Sequence, residues 1–139
     1  MARKILHGLD GSEGSFKALE EALEMAGRFG AELHSISVEE IPHYPGTIGE
    51  VLEEKDLQNG KLHAAIRKAR GMAQAAQVVL HPHVIVGHEV KTIVEFVKAH
   101  QFDLLVIGFM GHSALYNRVM GGTCQNLVRL APCSVLVVK

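Results

Sequence analysis

Residues 102–111 read Phe102-Asp103-Leu104-Leu105-Val106-Ile107-Gly108-Phe109-Met110-Gly111. Leu104 to Ile107 form an unbroken apolar run that ends at a glycine. A strand with one wet face alternates polar and apolar side chains, so a run without alternation belongs to a strand covered on both faces. Strands of that kind are typical of parallel sheets flanked by helices.

Working downstream, Cys124, Leu127, Val128 and Ala131 recur at helical spacing, Pro132 stops the helix, and Ser134–Val138 is a last apolar strand. Upstream, Val90, Ile93, Val94 and Val97 mark a helix, preceded by a strand over Gln77–Val86. Pro82 lies inside that strand and has no amide to donate, which predicts a sheet edge or a bulge there. A helix with Leu62, Ile66, Ala69, Ala73 and Ala76 on one face is expected from about Leu57, after an irregular stretch, 39–56, with two prolines and a glycine near its start. Before it come a strand over Glu32–Val38, a helix carrying Phe16, Leu19, Leu23 and Ala26, and a first strand over Lys4–Leu9. Ser12 suits the N-cap of the first helix and Gly30 its left-handed C-terminus. The order β-α-β-α-β-α-β-α-β predicts an α/β fold: an open parallel sheet with helices on both faces, in a single domain spanning 1–139.

Bulk composition narrows the function classes. Hydrophobic residues make up 47% and charged residues 21%, and 14 basic side chains face 15 acidic ones. No basic excess supports nucleic-acid binding. No apolar stretch approaches the roughly 18 residues of a membrane span. Ile5-Leu6 is too short a run for a secretory leader, so a cytoplasmic protein is expected. Cys124 and Cys133 are expected to be small buried residues rather than a redox pair. Nine histidines are scattered along the chain. Only His81-Pro82-His83 brings two close, on one face of a strand, and without a carboxylate or cysteine at ligand spacing no metal site is expected.

Ligands of open α/β sheets bind beyond the carboxyl ends of the strands. Asp10 closes the first strand, where its carboxylate suits a ribose hydroxyl or a metal-bound phosphate, or simply the turn before an N-cap. Gly108 and Gly111 follow the fourth strand, and Gly121-Gly122-Thr123 opens the last helix. Glycines permit close backbone approach, and the free amides of a helix N-terminus favour anions.

These residues resemble the universal stress protein family, which carries G-x2-G-x9-G-[ST] between the fourth strand and fourth helix; Gly108, Gly111 and Gly121 match the spacing. Asp10-Gly11-Ser12, the run Phe102–Gly108 and the ending Ala131-Pro132-Cys133-Ser134-Val135-Leu136-Val137-Val138 also resemble the family, over the whole chain. The resemblance implies a Rossmann-like sheet of the adenine nucleotide alpha hydrolase type, strand order 3-2-1-4-5, with ATP over the ends of strands one and four. It implies base contacts from the Val38 backbone and ribose or phosphate contacts from Leu9 and Asp10. Gly108, Gly111 and His112 would border the ribose and phosphates, and Gly121, Gly122, Thr123 and Cys124 would offer amides. Mg²⁺ or Mn²⁺ would accompany the nucleotide, and the last strand would pair two chains into a homodimer.

Three positions depart from the family pattern. Gly122 replaces a Ser or Thr, and Phe109 and Met110 stand where a small and a basic residue are usual, leaving His112 and Arg118 as the nearest cations. Without a G-x4-G-K-[ST] loop or a lysine beside the phosphate glycines, fast hydrolysis is not expected. The reading is an ATP-binding protein of stress regulation. Its alternatives are a slow ATP hydrolase and a dimeric interaction module of the same family that binds no nucleotide.

Overall fold

The computed structural model describes residues 2–40, 48–109 and 122–139, with backbone alone over 48–59. Five parallel strands form one sheet in the order β3-β2-β1-β4-β5. They are β1 (Lys4–Gly8), β2 (Glu32–Glu39), β3 (Leu80–Val86), β4 (Leu104–Gly108) and β5 (Ser134–Val138). The helices between them are α1 (Glu13–Phe29), α2 (Ile48–Ala75), α3 (Glu89–His100) and α4 (Gly122–Leu130).

Side chains alternate across the sheet and feed two cores. Ile5, Leu33, Leu104 and Val106 point to the face covered by α1 and α2. There Ala18, Leu19, Ala22 and Ala26 of α1 and Ala65, Ala69 and Ala73 of α2 are buried with them. Leu6, Ile36, Leu105 and Ile107 point to the other face and meet Ile93 and Val97 of α3 and Leu127 of α4. The apolar run of β4 therefore splits evenly between the cores, which is why it lacks polar alternation. Asp103 ties β4 to β1 at their start: its carboxylate accepts the amides of Arg3 and Lys4.

The first helix has the predicted ends. Ser12 Oγ accepts the Ser15 amide at 3.1 Å, and Gly30 closes the helix at φ 63°. Pro82 lies on β3, at one edge of the sheet, as its missing amide requires. Two boundaries differ from expectation by more than one residue. Residues 48–56, read as irregular, belong to α2; the prolines that suggested a loop, Pro42 and Pro45, lie outside the described residues. Gln77–Val79, read as strand, instead follow the end of α2 as a turn: Gln77 adopts a left-handed φ of 59°, and the Val78 amide donates to the Ala73 carbonyl at 2.9 Å. No described helix is long and apolar enough to cross a membrane.

Candidate functional site

At the carboxyl ends of β1 and β2 the chain leaves a crevice of about 410 Å³. That volume falls within the roughly 300–1,000 Å³ of small-ligand sites. Leu9, Asp10, Val38, Glu40, Glu89 and Thr123 contribute to its walls, with Lys61 and Leu62 of α2 beside them. It forms where β1 stops pairing, after Gly8 opposite Ile36, while β2 continues along β3 to Glu39.

The ladder has a phase that matters here. The Ile36 carbonyl accepts the Leu9 amide at 2.9 Å, toward β1, and the Glu39 carbonyl accepts the Gly87 amide at 3.0 Å, toward β3. Main-chain groups along a central parallel strand turn alternately to its two neighbours. Val38 therefore directs its amide and carbonyl to the β1 side, beyond the last paired residue of β1. Leu9 differs from that pattern: its amide is used by Ile36, its carbonyl accepts Ser37 Oγ at 2.8 Å, and its side chain is buried.

Asp10 is half-buried, and its Oδ1 accepts the Ser12 amide at 2.9 Å, so it closes the turn into α1 while facing the crevice. Gly11 in that turn sits at φ 85°, a left-handed conformation that favours glycine. Thr123 brings the first turn of α4 to the crevice wall. The first four amides of a helix lack intrahelical acceptors, so Gly122, Thr123 and Cys124 offer donors there. The Cys124 side chain packs on the α3–α4 core, and burial pushes its thiol pKa up. Gly111, His112 and Gly121 lie outside the described residues.

Gly108 has a structural partner that its sequence does not announce. A Cβ built there would lie 2.6 Å from the carbonyl carbon and oxygen of Gly14 and 3.1 Å from the Ser15 amide nitrogen. The close approach it permits is to the start of α1. Phe109 turns away as well: its amide donates to Val138, its ring is 46% exposed, and Lys139 Nζ lies 5.2 Å from the ring centroid.

The electrostatics of the crevice are acidic. Glu89, at the first residue of α3, has its pKa pushed up to about 7, chiefly by burial and further by Asp10 and Glu40. The sequence reading missed Lys61, Glu40 and Glu89. Glu40 and Glu89 follow the ends of β2 and β3, where ligands of such sheets bind, so the strand-end rule carries their signal. Lys61 reaches the crevice from α2 and has no local signature.

The family model described as "Universal stress protein family" matches residues 1–139. The chain belongs to the universal stress protein family. It is 30% identical to Universal stress protein MJ0531 of Methanocaldococcus jannaschii, covering 99% of this chain and 82% of that one. Among solved structures it resembles the universal stress protein UspA of Lactobacillus plantarum, at TM-score 0.88 and 26% identity over 99% of this chain and 98% of that one. It also resembles a universal stress protein solved in complex with cAMP, at TM-score 0.79 and 27% identity, over 99% of this chain and 97% of that one.

Proposed function

We propose that the crevice binds an adenine nucleotide, ATP with Mg²⁺ or Mn²⁺, and that occupancy regulates a stress-response protein of the cytoplasm. The observation that carries this reading is the convergence of Val38, Asp10 and the first turn of α4 on one cavity. In this reading the adenine edge bonds the Val38 main chain and the ribose meets Asp10. The phosphates lie against the amides of Gly122, Thr123 and Cys124, with Gly111, His112 and Gly121 beside them. The divalent cation would offset repulsion between the phosphates and the carboxylates of Asp10 and Glu89. The relative that binds cAMP supports the adenine assignment.

Nucleotide at 100 times its dissociation constant is expected to add about 2.7 kcal/mol of stability, read as a rise in melting temperature. Gly111→Val and Gly121→Val should remove that rise. Asp10→Ala should weaken binding roughly tenfold or more, the loss expected for a hydrogen bond to a charged group. No shift with millimolar ATP, AMP or cAMP, with or without Mg²⁺, would instead support the interaction-module reading, which the acidic lining favours. Slow hydrolysis requires the bound nucleotide and is measured separately as ADP release.

The same proposal includes a homodimer through β5. This strand is the free edge of the sheet opposite β3, and Val135–Val138 are only half-buried. Light scattering at micromolar protein is expected to give twice the chain mass; a monomer would remove the dimer from the proposal.

A further inference from the structure

Three of the nine histidines, His34, His81 and His83, share one side of the β2–β3 pair. Glu32 and His34 stand two residues apart on β2 and so share a face. The register sets His34 directly beside His81, with His83 two residues further along the same face of β3. The sequence showed His81-Pro82-His83 without a carboxylate; pairing with β2 supplies one. Donor atoms of Glu32, His34 and His81 all lie within 4.8 Å of one another.

The central ring is held on several sides. His34 Nε2 lies 2.6 Å from Glu32 Oε1, and its Nδ1 lies 2.8 Å from His83 Nε2. His83 stacks on it with ring centroids 5.1 Å apart and planes 10° from parallel. Phe102 meets it edge-on at 5.1 Å, and His81 lies 4.7 Å away. Glu32 and His81 are exposed, so the open side of the cluster faces solvent. Lys4, the nearby cation, donates to the His100 carbonyl at 2.7 Å and lies over the Phe102 ring.

We propose that Glu32, His34 and His81 bind a borderline divalent cation of the zinc class, with His83 orienting His34. The donor set, two imidazoles and one carboxylate with a position left for water, suits that class of ion. Tetrahedral ligands at zinc bond lengths stand about 3.3 Å apart, so small side-chain rotations from the observed separations close the site. His34 binds through Nε2, replacing its contact with Glu32, and its Nδ1–H donates to His83 Nε2. Each neutral ring keeps one hydrogen; the pair only exchanges which nitrogen carries it. A hydrogen-bonded partner on the second ring nitrogen is the usual support of a metal-bound histidine. Bound there, the ion joins edge strand β3 to β2 at the amino-terminal part of the sheet, away from the crevice at the opposite ends of the strands.

Zinc(II) alone, titrated into the full chain against a chromophoric chelator, is expected to bind one equivalent and raise the melting temperature. Cobalt(II) should give the intense visible absorption of tetrahedral coordination. Glu32→Gln and His81→Ala change exposed side chains, so both should fold as wild type by circular dichroism while losing the bound equivalent. His83→Phe keeps a ring in the stack and should weaken binding about 10- to 100-fold. His63→Ala, a histidine of α2 outside the cluster, should bind as wild type. Failure of the wild type to bind one equivalent overturns the proposal, as does binding that survives both Glu32→Gln and His81→Ala.

Discussion

Gly108→Ala is expected to destabilise the nucleotide-free protein by about 3 kcal/mol, the upper part of the usual range for overpacking. For a chain of this size that corresponds to a fall in melting temperature of roughly 10 °C. The new methyl group would lie 2.6 Å from backbone atoms of Gly14, which cannot rotate aside as a side-chain tip can. Either β4 or the start of α1 must move, and α1 is anchored there by Ser12 and by the hydrogen bond from His7 to Ser15. Other glycines calibrate the experiment. Gly8→Ala meets only the Ile107 Cγ2 methyl at 3.2 Å and should cost far less. Gly30→Ala meets nothing within 4 Å but sits at φ 63°, so it should lose about 1 kcal/mol to backbone strain alone. Gly60→Ala, in the interior of α2 with open space around it, should gain up to about 1 kcal/mol. Urea unfolding without nucleotide measures all four. A Gly108→Ala protein as stable as wild type would show that α1 yields, and would return this glycine to a purely ligand-facing role.

Gly108 also shows where sequence reading stops. Its place after a buried strand was legible, because Leu104–Ile107 lacks alternation and a glycine follows. That its missing side chain accommodates Gly14 was not, since the contact joins residues 94 positions apart through the packing of α1 on β4. Strand order at the β3 edge was foreshadowed locally by Pro82, and the ends of α1 by Ser12 and Gly30. The start of α2 was hidden because Pro42, Pro45 and Gly46 announce a loop but not where it ends. The crevice was legible as far as local signals reach: Asp10 closes a strand, Val38 ends one, and Thr123 opens a helix. Lys61 arrives from α2, and the pairing of Glu32 and His34 with His81 depends on register, which no spacing within one strand encodes.

Between about pH 4.5 and 6.5, buried His7 and half-buried Glu89 should drive stability in opposite directions, so that their effects largely cancel in the wild type and separate in a variant. His7 is fully buried on β1, and its Nε2–H donates to the Ser15 carbonyl at 2.7 Å. Its Nδ1 has no hydrogen-bond partner among the described residues. A proton added there would be a buried charge without an acceptor, and burial lowers the pKa from 6.5 to about 4. The unfolded chain takes up this proton first, so stability present above pH 6.5 is lost as pH falls toward 4, by about 3 kcal/mol in all. His83, also lowered chiefly by burial, adds to the same direction. Glu89 does the reverse. Its pKa rises from 4.5 to about 7, so the folded state keeps a proton that the unfolded chain releases. Stability is then lost as pH rises from 4.5 to 7, again by about 3 kcal/mol. Glu89→Gln removes this second slope. The variant should gain stability by about 1.4 kcal/mol per pH unit between pH 4.5 and 6.5, and should exceed the wild type by about 3 kcal/mol above pH 7. Urea unfolding across this range tests the carboxylate, and matching pH curves for variant and wild type would dismiss its role. Proton NMR tests the histidine without mutation: the His7 ring signals should stay unchanged down to about pH 5. His7 signals that titrate near pH 6.5 would mean that the imidazole can be charged in place, and the acid-side loss of stability would need another source.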